Sequence, residues 1–172
     1  YLELVGASDS PHFTKSDIKA LIDGVKELNN ERVTRICGTR FKGLSLLHRD
    51  WINLNAERNK HRLAFDAFFE DIDILLAPAT GSPAFKHDQN GPRYRRFLTI
   101  NGKQYPEMAQ LFWSGYSGVV GLPSLVGPIG KVRGLPVGYQ AIAGHGRDFT
   151  ALAFAEAVER ELVGFTPPPL CL

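Results

Sequence analysis

Cysteine and long apolar runs are the two features that this sequence has least of. Its 172 residues include only Cys37 and Cys171, which are too far apart for any Cys-x-x-Cys spacing. So few cysteines fit a reducing compartment better than a disulfide framework. No stretch approaches the about 18 consecutive apolar residues of a membrane span, and the beginning of the chain lacks the pattern of a signal peptide. We therefore expect a cytoplasmic protein with no membrane partner.

An excess of charge of one sign is also absent. The 20 basic and 18 acidic residues nearly cancel, to a formal net charge of +2, so no overall field attracts nucleic acid. The one local concentration is Arg93, Arg95 and Arg96 around Tyr94, a combination that could contact phosphates or stack on bases. A solvated loop face is the favoured interpretation, with an acidic substrate or a subunit contact as alternatives. We expect no nucleic-acid partner and leave a homo-oligomer open.

Metal-binding patterns are missing as well. The chain has five histidines, which form neither His-Glu-x-x-His nor any other ligand spacing: His12, His48, His61, His87 and His145. The sequence therefore implies no metal and no cofactor.

A self-contained nucleophile is hard to find. The best local candidate is Ser117 in the segment Gly115 to Val119. A nucleophile elbow needs glycine two residues after the serine, where Val119 stands. We expect these small residues to permit close helix packing or backbone approach to a pocket, and we assign no catalytic residue to this chain.

The first half of the chain predicts helices followed by a buried strand. Hydrophobic residues make up 44% of the chain, enough for a sizeable core in a single unit over residues 1–172. Thr14 and Asp17 mark the start of an amphipathic helix over 15–30, and Asp50 is placed to cap a second helix reaching Phe68. The short apolar run Ile72 to Ala77 predicts a strand buried on both faces.

The second half predicts a long loop, a hairpin and a hairpin-like pair of longer strands. The loop covers residues 79–96, too long for an ordinary connector. Asn101-Gly102 predicts a tight turn between two short strands, and Pro106 begins a short helix. Strands are expected at Ser124 to Gly127 and at Val137 to Ala143, in one sheet with the earlier strand. The expected last elements are a helix capped by Asp148 and ended by Gly164, and an extended tail from Pro167 to Pro169.

Four segments in a fixed order carry a family resemblance. They are Asp73-Ile74-Leu75-Leu76-Ala77-Pro78-Ala79-Thr80, Gly121-Leu122-Pro123-Ser124, Gly134-Leu135-Pro136-Val137-Gly138-Tyr139-Gln140, and Asp148 ahead of a helix ending Glu159-Arg160-Glu161. This order resembles the closing third of amidase-signature enzymes, and the resemblance covers roughly Trp51 to Pro169. It implies an α/β fold, the C-terminal part of the amidase-signature fold, with a mixed sheet flanked by helices that is incomplete in this chain.

The resemblance also implies a chemistry. Members of the family hydrolyse amides through a serine nucleophile, a second serine in a cis peptide and a lysine, forming an acyl-enzyme and releasing acid plus ammonia or an amine. Those residues lie upstream in the family, and this chain contains no Gly-Gly and no Ser-Ser dipeptide. We expect the chain, which begins with Tyr1, to be the C-terminal portion of an amidase domain, inactive alone, with the N-terminal portion as partner and a small-molecule amide as substrate. The alternative is a stand-alone, non-catalytic α/β binding or interaction module.

Site residues follow only from the resemblance. The segment before the Gly-Leu-Pro element faces the acyl group in the family, and here it holds Trp113, Tyr116, Ser117 and Gly118. Trp113 and Tyr116 would form an apolar wall with a polar tip, suited to an aromatic or aliphatic acyl chain. The open alternative is that both are core residues. Many members carry Asn where Gly118 stands, so no side-chain contact is carried over there, and Gln140 is expected to support the site rather than to react.

Overall fold

The described part of the chain forms two compact units. A computed structural model describes residues 1–167, so the predicted tail beyond Pro167 lies outside the described residues. The first unit comprises residues 1–59 and 85–111, and the second comprises residues 60–84 together with the chain from residue 112 onwards. The predicted single domain over residues 1–172 stays a prediction.

The first unit begins with a series of helices. They are α1 (Leu2–Asp9), α2 (Lys15–Glu27), α3 (Glu31–Val33), a π-helical turn at Thr34–Gly38, and α4 (Thr39–Gly43). The sequence predicted α2 alone among these. The stretch that contains Gly38 and Gly43 is also helical, because burial of one apolar face outweighs the low helix propensity of glycine.

The start of α2 is set by a capping box, as predicted. The Thr14 hydroxyl accepts a hydrogen bond from the Asp17 backbone N–H at 3.2 Å, and the Thr14 backbone N–H donates to the Asp17 carboxylate at 2.9 Å. A further hydrogen bond from the Thr14 hydroxyl to the Asp17 carboxylate, at 2.6 Å, and the bond from the Thr14 backbone N–H hold the pKa of the Asp17 carboxyl below its usual range. The helix ends three residues earlier than predicted, just before Asn29 turns to a φ of +43°.

A buried cluster underlies α2 and the helical turns that follow. Val25, Val33 and Cys37 are almost wholly buried in it, and Phe41 packs edge-on against Tyr94 with 6.0 Å between ring centroids. Burial raises the pKa of the Cys37 thiol to about 11. Cys37 is therefore protonated at neutral pH and acts as a small apolar core residue.

The arginines of the long loop all have partners within the first unit. Arg93 Nε lies 2.8 Å from Glu107 Oε1, Arg95 Nη2 lies 3.6 Å from Glu27 Oε2, and Arg96 Nη2 donates to the carbonyl of Gly91 at 3.1 Å. These contacts favour the interpretation of a solvated, internally paired loop face over that of a phosphate site.

The predicted Asn-Gly hairpin is confirmed. Strands β2 (Phe97–Ile100) and β3 (Lys103–Pro106) pair antiparallel, and Asn101 and Gly102 between them both adopt positive φ angles. Those angles are the ones that a two-residue hairpin turn requires.

The second predicted helix forms, but the predicted cap is wrong. Helix α5 (His48–Phe68) begins two residues before Asp50, because the Leu47 carbonyl already accepts the backbone N–H groups of Asp50 and Trp51. No residue of α5 is buried.

The second unit contains one three-stranded sheet in the order β1-β5-β4. The strands are β1 (Ile74–Pro78), β4 (Ser124–Val132) and β5 (Leu135–Ala143), and both pairings are antiparallel. The prediction that these strands share one sheet is confirmed, but the predicted burial of the first strand on both faces is wrong, because Leu76 is 57% exposed. The mixed sheet of the prediction refers to the complete amidase-signature fold, whereas both strand pairings described here are antiparallel.

Helices contribute to both faces of this sheet. Helix α6 (Leu111–Val120) follows a 3-10 turn at Glu107–Gln110 and runs farther than predicted, and helix α7 (Asp148–Glu161) follows β5. Because side chains alternate along a strand, Ile142 packs with Val120 of α6 on one face. Tyr139 meets Phe154 of α7 on the other face, at 6.1 Å between ring centroids. Among the described helices, none is both long and apolar enough to cross a membrane.

The predicted cap of the last helix is also wrong. Arg147 occupies the N-cap without a side-chain hydrogen bond, and Asp148 is already the first helical residue. The Arg147 carbonyl accepts the Thr150 backbone N–H at 3.1 Å, which starts the helix one residue earlier. Asp148 still places negative charge in the first turn, where it favours the helix dipole. The helix ends at Glu161, before the predicted stop at Gly164.

Close backbone approach at Gly43, but not at Gly38, leads to the first prediction. A Cβ on Gly43 would collide with the carbonyl oxygen of Glu3 in α1, whereas a Cβ on Gly38 would meet Val25 at an ordinary 3.4 Å. We expect Gly43→Ala to lower the free energy of unfolding by about 1–3 kcal/mol through overpacking. Gly38→Ala should change it by no more than about 1 kcal/mol. Urea unfolding of both variants measures the difference, and equal effects would show that α1 and α4 do not meet at Gly43.

Candidate functional site

Three aromatic residues lie side by side on α6. Trp113 and Tyr116 stack with 5.9 Å between ring centroids and 20° between ring planes. Phe112 meets both edge-on, at 5.1 Å from Trp113 and 5.6 Å from Tyr116. Phe112 is 59% exposed and Tyr116 is 37% exposed. The cluster is thus a largely open aromatic face, and we call it the aromatic wall.

A buried polar cluster lies behind this face. Gln140 Nε2 on β5 donates to the Ser117 hydroxyl oxygen at 3.0 Å, and the Ser124 hydroxyl donates to the same oxygen at 3.1 Å. Ser117 is 7% exposed and Gln140 is 4% exposed. The residues come from α6, β4 and β5, so the cluster joins the helix to two strands.

The other end of the Gln140 amide is unsatisfied. Its Oε1 atom is buried, and no described residue donates a hydrogen bond to it. A buried polar atom without a partner costs about 1–3 kcal/mol. Such a cost in a native structure needs an explanation.

The predicted site residues fall into two connected pairs and one separate residue. Trp113 stacks on Tyr116, and Ser117 is bonded to Gln140. Gly118 is exposed and follows Tyr116 by two residues, which places it about 200° around the helix, on the other side from the aromatic wall. The structure therefore places Gly118 apart from the other four residues.

The surroundings of Ser117 offer no base. Its hydroxyl oxygen accepts hydrogen bonds from a carboxamide and from another hydroxyl. Neither group can remove a proton, as the activation of a serine nucleophile requires. Among the described residues, no group of three or more His, Cys, Asp or Glu side chains is arranged to hold a metal ion.

An open groove lies between the β4-β5 hairpin and α7. It has a volume of about 310 Å³, and its lining includes Gly127, Tyr139, Leu152, Glu159 and Phe165. Tyr139 packs closely over Gly127, where a Cβ would come within 2.7 Å of the ring. Burial, with a smaller effect of the Glu159 carboxylate, raises the pKa of Tyr139. The groove is separate from the Ser117 cluster, because Tyr139 and Gln140 point to opposite faces of the sheet.

Two residues of this region were not predicted from the sequence as site residues. Phe112 completes the aromatic wall, and its four-residue spacing from Tyr116 was a usable signal, since such pairs meet on one helix face. Ser124 completes the polar cluster, but only its place after the Gly-Leu-Pro element marked it. Its contact with Ser117 depends on tertiary structure.

This chain belongs to the amidase family. The family profile described as amidase matches residues 6–152, which contain the aromatic wall and the Ser117 cluster. An indoleacetamide hydrolase of Bradyrhizobium diazoefficiens is 36% identical over 127 residues, covering 71% of this chain and 22% of that protein. A glutamyl-tRNA(Gln) amidotransferase subunit of Koribacter versatilis is 30% identical over 122 residues, covering 69% of this chain and 23% of that protein.

Solved structures confirm the fold. A crystal structure of an amidase superposes with a TM-score of 0.59 at 24% identity, covering 85% of this chain and 32% of that one. A bacterial aryl acylamidase of the amidase-signature family gives a TM-score of 0.56 at 21% identity, covering 88% and 34%. The chain thus spans about a third of these structures and under a quarter of the two curated relatives above. The predicted fold class, an incomplete part of the amidase-signature fold, is confirmed.

Because the aromatic wall is exposed, truncating one of its residues should lower stability less than truncating a core residue. Tyr116→Ala should cost only about 0.5–1.5 kcal/mol, the value of aromatic pair contacts, because the ring is half-exposed. Leu122→Ala should cost about 2–5 kcal/mol, because Leu122 belongs to the buried cluster with Ile142. Chemical unfolding of both variants gives the comparison, and a Tyr116→Ala loss as large as that of Leu122→Ala would make Tyr116 a core residue.

Proposed function

We propose that the chain is the C-terminal, substrate-shaping part of an amidase that hydrolyses a carboxylic amide to an acid plus ammonia or an amine. The observation that carries this proposal is the family match over residues 6–152, which spans the aromatic wall. The partial coverage of every relative quoted supports an N-terminal portion as the partner of this chain. That portion would contribute the serine nucleophile, the cis-peptide serine and the lysine.

The environment of Ser117 supports the assignment of the catalytic residues to the N-terminal portion rather than to this chain. A serine that is buried, accepts two hydrogen bonds and has no neighbouring base is poorly suited to attack an amide. The chain alone is therefore inactive in this proposal, and Ser117 has a supporting role.

The predicted substrate-binding residues form two layers in this proposal. Trp113 and Tyr116 contact the acyl group, and the buried pair Ser117 and Gln140 supports them from behind. Gly118 leaves room on the far side of α6 for backbone approach. A stacked, partly exposed indole and phenol form a flat apolar surface, which suits an aromatic acyl group.

The names of relatives indicate a substrate class. The relative from Bradyrhizobium diazoefficiens is an indoleacetamide hydrolase, so the substrate of that enzyme is an arylacetamide. The aromatic wall is consistent with the same class here. We therefore propose a small arylacetamide as substrate, with no nucleic-acid or membrane partner, and a cytoplasmic location in keeping with the buried, reduced Cys37.

Activity gives the direct test. The 172-residue chain should release no ammonia from indole-3-acetamide above buffer, because the proposed nucleophile, bridging serine and lysine all lie outside it. The complete protein, expressed with the segment that precedes Tyr1, should hydrolyse this amide. Ammonia release and a serine-directed fluorophosphonate probe report on both proteins.

Two results would contradict the proposal. Stoichiometric labelling of the chain alone, lost in Ser117→Ala, would make Ser117 a nucleophile. A folded complete protein that hydrolyses no amide across a panel of aryl and alkyl amides would favour the non-catalytic binding module instead.

Selectivity tests the aromatic wall separately from catalysis. In the complete amidase, Trp113→Ala should lower the ratio of kcat/KM for indole-3-acetamide to kcat/KM for propionamide by about 10- to 200-fold, which corresponds to about 1–3 kcal/mol of lost apolar contact. Trp51→Ala is the matched control, because Trp51 is as exposed as Tyr116, at 37%, and stacks on His48 rather than on a residue of the aromatic wall. An equal fall for all amides, or a fall that only follows the folded fraction, would make Trp113 a structural residue.

A further inference from the structure

Only one end of the Gln140 side-chain amide makes a hydrogen bond within the described chain. Its Nε2 atom donates to Ser117, while its buried Oε1 atom has no donor among the described residues. The strand around it needs no polar side chain for its own pairing, because β5 is paired on both edges through backbone contacts. A methionine of similar length would fill this position without leaving a polar atom unpaired.

Ser117 does not need Gln140 either. The Ser124 hydroxyl also donates to the Ser117 oxygen, at 3.1 Å. Loss of the Gln140 amide would therefore remove one unsatisfied atom and create no new one. Apolar replacement of a buried polar group is neutral or stabilising under these conditions. Glutamine at this position therefore makes the folded chain no more stable than an apolar residue of similar size would.

What the amide does supply is a directional link between β5 and α6. Ser117 directly follows Tyr116 and lies one helical turn after Trp113, so a bond to Ser117 fixes the turn of α6 that carries the aromatic wall. A hydrogen bond restricts rotation and sliding of a helix more than an apolar contact, which tolerates both. Residues that lower stability while fixing geometry are typical of functional sites.

We propose that Gln140 is a positioning residue, retained at a cost in stability, that orients Trp113 and Tyr116 through Ser117 and so sets the acyl-group selectivity of the amidase. This role rests on the proposed function above. It assigns no contact with the substrate to Gln140, whose side chain is almost wholly buried.

A double-mutant cycle on the 172-residue chain tests whether the Gln140 amide lowers the stability of the folded state. Ser117→Ala removes the acceptor of Gln140 Nε2, leaves both ends of the amide unpaired, and should lower the folding equilibrium constant by about 10- to 100-fold. Gln140→Met should leave that constant unchanged or raise it by up to about 10-fold. In the Ser117→Ala background, Gln140→Met should restore at least about 10-fold. Destabilisation by Gln140→Met alone, with no rescue of Ser117→Ala, would overturn the proposal.

Selectivity of the complete amidase tests the positioning role. Gln140→Met should shift the ratio of kcat/KM between indole-3-acetamide and propionamide by about 5- to 10-fold, without a loss of stability. Gln104→Met is the matched control, because it makes the same substitution at an exposed residue of β3 that is not part of the Ser117 cluster. The control should leave the ratio unchanged. An unchanged ratio in Gln140→Met would also overturn the proposal.

The two experiments separate this inference from the proposed function. The stability cycle needs no activity, so it decides whether the amide is retained at a cost even if no amide is turned over. A complete protein without amidase activity would remove the proposed function and the selectivity role together. An active amidase with an unchanged ratio would remove the positioning role alone.

Discussion

The pairing of β5 on both of its edges is the constraint on which the second unit depends. β5 lies between β1 and β4, and its residues from Tyr139 to Ala143 are all buried. Alternation of side chains along this strand sends Ile142 and Gln140 to one face and Tyr139 to the other. The cluster beneath α6 and the packing of α7 both follow from this alternation. A slip of one residue in register would exchange the two faces.

The candidate site is an outer aromatic layer on an inner polar one. The aromatic wall is open to solvent and adds little to the core, whereas Ser117 and Gln140 are buried and join α6 to the sheet. Sequence neighbours on one helix thus serve two purposes, because successive residues point about 100° apart. In the proposed function, the specificity of this wall for an acyl group can change without a change of fold, because function depends on sites rather than on the fold.

Local signals in the sequence predicted the elements whose causes are local. The Thr14 and Asp17 capping box and the Asn101-Gly102 turn depend on residues within one turn of each other, and both form as expected. Helix starts assigned to a single acidic residue were wrong at Asp50 and Asp148. There a preceding backbone carbonyl began the helix, and an aspartate in the first turn gives the same sequence signal as one at the cap.

Features that depend on tertiary contact could not be predicted. The Ser117 to Gln140 bond joins residues 23 apart in sequence, and its existence depends on where α6 lies on the sheet. The approach of α1 to Gly43 is likewise invisible in a sequence that shows only a glycine. The candidate site residues followed from the family resemblance and not from periodicity, since periodicity identifies only a buried face.

We propose that this sheet is part of a larger sheet in the complete protein. The Ala79 backbone N–H donates to Gly138, so the alternating pattern of an antiparallel ladder points the N–H of Leu76 away from β5. The same reasoning from the Ala143 N–H, which donates to Pro123, points the N–H of Val126 outward. Val126 is also 62% exposed.

Amide hydrogen exchange resolved to single residues measures this directly. In the chain alone, we expect slow exchange at Ala141 and fast exchange at Leu76 and Val126. In the complete amidase, at least one of the two outward amides should gain protection of about tenfold or more, as a strand of the N-terminal portion pairs with it. Equally fast exchange at both amides in the complete protein would contradict the claim that the sheet continues beyond this chain.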